Sequence, residues 1–202
     1  MNDRFDNSID RDEVFFRSRI IRLMDYIEDS EDFITKLNIL SVQDSKKPIT
    51  IYIQSPGGYV DAGLTMYDAM MSIPNHICTI GMGEVSSMAS ILLMAGHPGI
   101  RYIMPHCWVM LHQSQIDVEG DTDTLVSRVN FYKRQEDQFT KIIAKHTGQT
   151  IKTIEKETSK EKWFSADEAV KWGIVDMIVT PEMGMPSTVI KSQIKPVKRR
   201  KK

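Results

Sequence analysis

Three short segments hold residues whose types and order suit acyl-transfer chemistry. Ser87 sits in Gly83-Glu84-Val85-Ser86-Ser87-Met88-Ala89-Ser90-Ile91-Leu92-Leu93, where small residues crowd a hydroxyl and a helical apolar run follows at once. Such a turn presents a serine at a helix N-terminus, where unpaired backbone N–H groups favour a developing oxyanion. Upstream lies Ser55-Pro56-Gly57-Gly58; its glycine pair lets backbone approach a substrate without a Cβ clash. Downstream lies Met110-Leu111-His112-Gln113, whose histidine ends an apolar run where a core would prefer another apolar residue. A serine hydroxyl is a poor nucleophile without a base beside it. Taken singly, the three segments also suit a tight helix start, a simple turn and a structural histidine. Together, in this order, they read as nucleophile, oxyanion hole and base.

The pattern around these segments predicts the elements that must hold them. Residues 13–23 suit a short helix leading into a strand, and 31–43 an amphipathic helix. Ile49-Thr50-Ile51-Tyr52-Ile53 alternates β-branched residues and reads as a strand. Helix is expected over 60–73 and 88–95, with strands at 76–80, 102–104, 108–111 and 174–179. One long helix should fill 122–146, with Leu125, Val129, Tyr132, Phe139, Ile142 and Ile143 near helical spacing, and a shorter one 151–158. Ser165 with Glu168 three residues on is a capping box for a further helix. Strands alternating with helices argue for an α/β domain.

Bulk properties exclude several function classes. The chain has 202 residues, enough for one domain with its own core, and 41% of them are hydrophobic. A formal net charge of −1 gives no overall field for nucleic acid or an anionic membrane. The exception is the basic tail Lys195, Lys198, Arg199, Arg200, Lys201 and Lys202, read as a solvated segment or, failing that, a contact for nucleic acid or a partner. No apolar run reaches membrane-spanning length and no secretory h-region opens the chain, so a cytoplasmic protein is expected. Cys78 and Cys107 lie in apolar runs and read as buried thiols. His76, His97, His106 and His146 lack ligand spacing, so neither a metal nor an organic cofactor is implied. The organisation expected is a flexible segment at 1–12, a catalytic domain at 13–182 and a basic, disordered tail at 183–202.

From about Arg19 to Thr180 the chain resembles the ClpP family, the proteolytic subunit of the ATP-dependent Clp protease. The resemblance is carried by Tyr52-Ile53-Gln54-Ser55-Pro56-Gly57-Gly58, Gly63-Leu64-Thr65-Met66-Tyr67-Asp68, Ser86-Ser87-Met88-Ala89-Ser90-Ile91-Leu92-Leu93, Val109-Met110-Leu111-His112-Gln113, Lys145-His146-Thr147-Gly148-Gln149 and Phe164-Ser165-Ala166-Asp167-Glu168-Ala169. It implies a crotonase-like ββα superhelix with a protruding handle helix at 122–146. It implies Ser87 as nucleophile, His112 as general base, and the N–H groups of Gly58 and Met88 as oxyanion hole. It further implies a homo-oligomer of two stacked seven-membered rings, peptide and unfolded-protein substrates, and a ClpX- or ClpA-like AAA+ ATPase partner.

The chain departs from the family pattern in four places. Glu161 stands where the family has its catalytic aspartate; Asp167 is the nearest alternative acid, in the helix-capping segment. Ser114, Gln115, Ile116, Asp117 and Val118 replace a proline and a glycine-rich strand of the substrate groove; Ile116 and Val118 still alternate with polar residues, so a strand can persist with acids near the substrate path. Ser159 and Lys160 replace an aspartate–arginine pair at the ring contact, and residues 1–12 lack an evident apolar axial loop. The leading expectation is a serine endopeptidase. The alternatives are a catalytically impaired subunit assembling with an active paralogue, and a crotonase-fold enzyme acting on acyl-CoA.

Overall fold

The computed structural model describes residues 11–185. The chain order is α1 (Arg11–Arg17), β1 (Ile20–Leu23), α2 (Glu31–Gln43), β2 (Ile49–Ser55), α3 (Val60–Ser72), β3 (Ile77–Ser86), α4 (Met88–Met94), β4 (Arg101–Ile103), β5 (Trp108–Leu111), α5 (Thr122–Thr147), α6 (Ile151–Thr158), β6 (Lys162–Phe164), α7 (Ala166–Trp172) and β7 (Met177–Ile178). Strands β1-β2-β3-β4-β7 run parallel in that spatial order. Parallel strands joined by helices are covered on both faces, which is why β2 is almost continuously buried. Alternation divides its side chains: Ile49, Ile51 and Ile53 join the main helix-covered core, while Tyr52 joins Ile20, Cys78, Ile80, Tyr102 and Val179 in a smaller cluster.

Strand β3 changes partners along its length. Thr79–Gly81 pair with β4, whereas Glu84–Ser86 pair in parallel with β5. Against β2 the register passes from Ile53↔Gly81 to Ser55↔Val85. β2 thus advances two residues while β3 advances four, and the extra length bends the end of β3 towards β5. Strand β6 closes the other side of β5, antiparallel, with Leu111 opposite Lys162.

Helix α5 is 26 residues long, about 39 Å at 1.5 Å per residue. Its buried residues are Phe139, Thr140 and Ile143, all in the C-terminal half, so the N-terminal half projects from the body. Its C-terminal end is pinned through Arg101, which forms an ion pair with Asp176 at 2.7 Å and donates to His146 O at 2.9 Å. Asp176 also accepts from the Gly99 and Arg101 N–H groups, joining β4 to the turn before β7. The His146 ring meets the Tyr67 hydroxyl of α3 at 2.9 Å. Burial, reinforced by the nearby Lys145 and Arg101 cations, lowers its pKa from 6.5 to about 4.

Several expectations need revision. The strand expected at 76–80 runs to Ser86, because β5 takes over as partner after Gly81. β6 has no periodicity of its own and exists through its pairing with β5. Residues 112–119 form no strand; among the described residues no neighbour offers them a ladder. The last strand shortens to Met177–Ile178. The boundary drawn at residue 12 falls inside α1, so 11–12 are helical; the expectations for residues 1–10 and 186–202, including the basic tail, lie outside the described residues. The capping box is formed: Ser165 Oγ accepts from Glu168 N, and the Glu168 carboxylate accepts from Ser165 N. Cys78 and Cys107 are buried free thiols, and burial pushes each pKa up to about 12.

His146 makes stability pH-dependent with a defined sign. The unfolded chain takes up the imidazole proton first, so this contribution is complete above about pH 6.5 and is lost as pH falls towards about 4. Thermal melts across this range should show the native chain losing more stability than His146→Gln, whose amide can still reach Tyr67. Parallel curves would contradict the assignment.

Candidate active site

Ser87 is the single residue between β3 and α4, and its backbone has φ 54° and ψ −124°. Positive φ is costly for a residue with a Cβ and persists only where the surroundings enforce it. Here the Ser87 N–H donates to Met110 O at 2.9 Å, and Ser87 O accepts from Ser90 N at 3.0 Å. The Ser90 hydroxyl, wholly buried, lies 2.9 Å from Val85 O and 2.8 Å from Met110 O, tying the end of β3 to β5 beneath the turn. All seven residues of α4 are buried, so the turn cannot relax outward. The outcome is a sharp strand-to-helix corner that lifts the Ser87 hydroxyl clear of the core.

The β3–β5 register brings His112 beside Ser87. Ser86 pairs with Met110, so both strands end beside each other, and His112 follows Leu111 directly beyond the end of β5. Its Nε2 lies 2.9 Å from Ser87 Oγ, within the range a proton acceptor needs. With Nε2 accepting the hydroxyl proton, the ring proton sits on Nδ1. The chain after it is anchored by Gln113 N donating to Thr158 O at 3.0 Å and Ser114 N donating to Glu136 Oε2 at 3.2 Å.

Gly57 and Gly58 have φ of +96° and +155°, and each lacks room for a side chain. A Cβ on Gly57 would lie 2.8 Å from Ser87 Cβ and 2.8 Å from Ser86 O; one on Gly58 would lie 2.2 Å from Ile27 O. The glycine turn therefore packs directly against the serine turn. Ile27 N donates to Gly57 O and Tyr59 N to Ile27 O, which spends the groups flanking Gly58. Among the described residues, neither the Gly58 nor the Met88 N–H donates to a protein acceptor, and both residues line one cavity with Ser87 and His112.

That cavity has a volume of about 840 Å³. Ser114, Gln115 and Ile116 line it, whereas Asp117 and Val118 do not. Glu161 also lines it: extending the Leu111↔Lys162 register by one residue sets Glu161 across from His112. Its carboxylate, however, accepts from the Trp163 indole at 3.4 Å, and no hydrogen bond joins it to His112 among the described residues. Asp167 is exposed in the first turn of α7, away from the cavity. Three contributors were missed in the sequence: Ser90, Trp163 and Glu136. Ser90 could have been found, as a lone hydroxyl inside an apolar helix. Glu136 owes its role to packing between distant segments, whereas Trp163 meets Glu161 only two residues away. No group of three or more His, Cys, Asp or Glu suited to a metal occurs among the described residues.

A family model described as Clp protease matches residues 3–182. The chain is 37% identical over 166 residues to an ATP-dependent Clp protease proteolytic subunit 2 of Corynebacterium efficiens, covering 81% of this chain and 83% of that one. It is 38% identical over 169 residues to a protein of the same name from Thermobifida fusca, covering 81% and 82%. It is 36% identical over 175 residues to an ATP-dependent Clp protease proteolytic subunit 1 of Corynebacterium jeikeium, covering 84% and 93%.

Because a Cβ at Gly57 would press on both Ser87 and the Met88 N–H, Gly57→Ala should displace the Ser87 hydroxyl and the Met88 N–H together. The expected outcome is a fall of about 10²–10³ in kcat for a short fluorogenic peptide, with secondary structure retained by circular dichroism. Unchanged kcat would show that this turn does not shape the reacting site.

Proposed function

The chain belongs to the Clp protease family and is a serine-type endopeptidase, and we propose that it cleaves peptides and unfolded proteins through Ser87 and His112. The observation that carries the residue assignment is the 2.9 Å contact between His112 Nε2 and Ser87 Oγ, at a corner held in positive φ. Ser87 Oγ attacks the scissile carbonyl while His112 Nε2 takes its proton. The tetrahedral oxyanion is received by the Gly58 and Met88 N–H groups, whose lack of a protein acceptor supports this role. His112 then protonates the departing amine as the C–N bond breaks, and water releases the acyl group by the same steps in reverse order.

Glu161 is the carboxylate proposed to orient His112 and to stabilise the imidazolium. Its support is the antiparallel register opposite the base and its place on the cavity wall. In this structure its Oε2 meets the Trp163 indole, and the proposal has the carboxylate turn towards Nδ1. The impaired-subunit alternative has no observation of its own in its favour, since nucleophile and base are in contact.

The Clp family in general forms rings and works with AAA+ ATPases. For this chain, two stacked seven-membered rings joined through the projecting half of α5, and a ClpX- or ClpA-like partner, are part of the proposal. The exposed Val126 on that half supports burial in an assembly. A cytoplasmic location is proposed as well: free buried Cys78 and Cys107 suit a reducing compartment. No helix among the described residues is long and apolar enough to cross a membrane.

Peptide hydrolysis by assembled protein should fall by about 10⁴ or more in kcat for His112→Ala, and by about 10² for Glu161→Ala. Equal losses would put Glu161 fully in the resting machinery. No loss for Glu161→Ala would reduce the site to a dyad.

A further inference from the structure

The charged groups on the cavity wall are of one sign. Asp61, Glu136 and Glu161 line the space around Ser87 and His112, and among the described residues no lysine or arginine does. Among the described residues none of these three carboxylates forms an ion pair, although seven lysine or arginine ion pairs occur elsewhere. Glu136 is the best positioned of the three. Its Oε2 accepts from Ser114 N, two residues beyond the base, which fixes the carboxylate where α5 meets the segment following His112. Its Oε1 has no hydrogen-bond partner among the described residues. Ile91, Phe139 and Ile143 line the same cavity as apolar wall.

Apolar wall beside an unspent carboxylate suits a side chain with an aliphatic stem and a cationic head. A one-signed, partly enclosed surface attracts the opposite charge and rejects its own. We propose that Glu136 is a specificity determinant selecting lysine- or arginine-containing peptides, with Asp61 and Glu161 supplying the field that disfavours acidic ones. This rests on the peptidase reading of the same site. Glu136 acts by contact with the substrate side chain and takes no part in the bond-making step.

The test is hydrolysis of matched fluorogenic peptides that differ only in lysine, leucine or glutamate beside the scissile bond, using the assembled enzyme. The native enzyme should favour lysine over glutamate by about tenfold or more in kcat/KM, and the ratio should shrink with added salt. Glu136→Gln keeps an acceptor for Ser114 N and should lower the lysine-to-leucine ratio; Glu136→Lys should invert the lysine-to-glutamate ratio. Cleavage with a rank order unchanged by both variants would overturn the specificity assignment and leave the peptidase standing. Absence of cleavage for every peptide by the native enzyme would overturn both.

Discussion

The pairing of the end of β3 with β5 is the constraint on which the reactive geometry depends. Until Gly81 the strand belongs to the main parallel sheet; beyond it the strand is extended by two residues relative to β2 and turned onto a new neighbour. That change of partner sets Ser87 and His112 at the ends of two adjacent strands. It also supplies Met110 O, which accepts from Ser87 N and lies within reach of the Ser90 hydroxyl. Positive φ at Ser87 is a local cost carried by this network and by the wholly buried helix behind it. Loosen β5, and Ser87 and His112 lose their register together.

The outer parts of the fold transmit this rigidity. β6 backs β5, and the Arg101–Asp176 pair ties β4, the turn before β7 and the end of α5 into one frame. Helix α5 has two roles along its length: its C-terminal half packs on the body, and residues from Phe131 to Ile143 line the cavity, whereas the projecting half carries Val126 exposed in the single chain. The cavity consequently draws on both a rigid corner and a long helix, elements far apart in sequence.

What the sequence revealed follows the range of the interactions involved. β2, α2, α6, the long helix and the Ser165–Glu168 box depend on neighbours within one element, so periodicity and caps mark them. The end of β3 does not: Met82-Gly83-Glu84 interrupts the apolar pattern, and only β5 makes a strand of it. β6 is three residues defined by its partner, and 114–118 lacks one despite its alternation. Within the site, Ser87 and His112 were visible because a hydroxyl among small residues and a histidine ending an apolar run are locally odd. Glu136 was hidden, because a carboxylate on a polar helix looks like solvated surface until the segment after His112 folds across it.

The central claim is that Ser87 is an activated nucleophile with His112 as its base. The most direct measurement is covalent labelling of the assembled protein by a fluorophosphonate, with the modified residue located by peptide mass spectrometry. The account predicts a single adduct on Ser87 that disappears in Ser87→Ala and forms far more slowly in His112→Ala. An adduct elsewhere, or an assembled protein that takes no label, would contradict it.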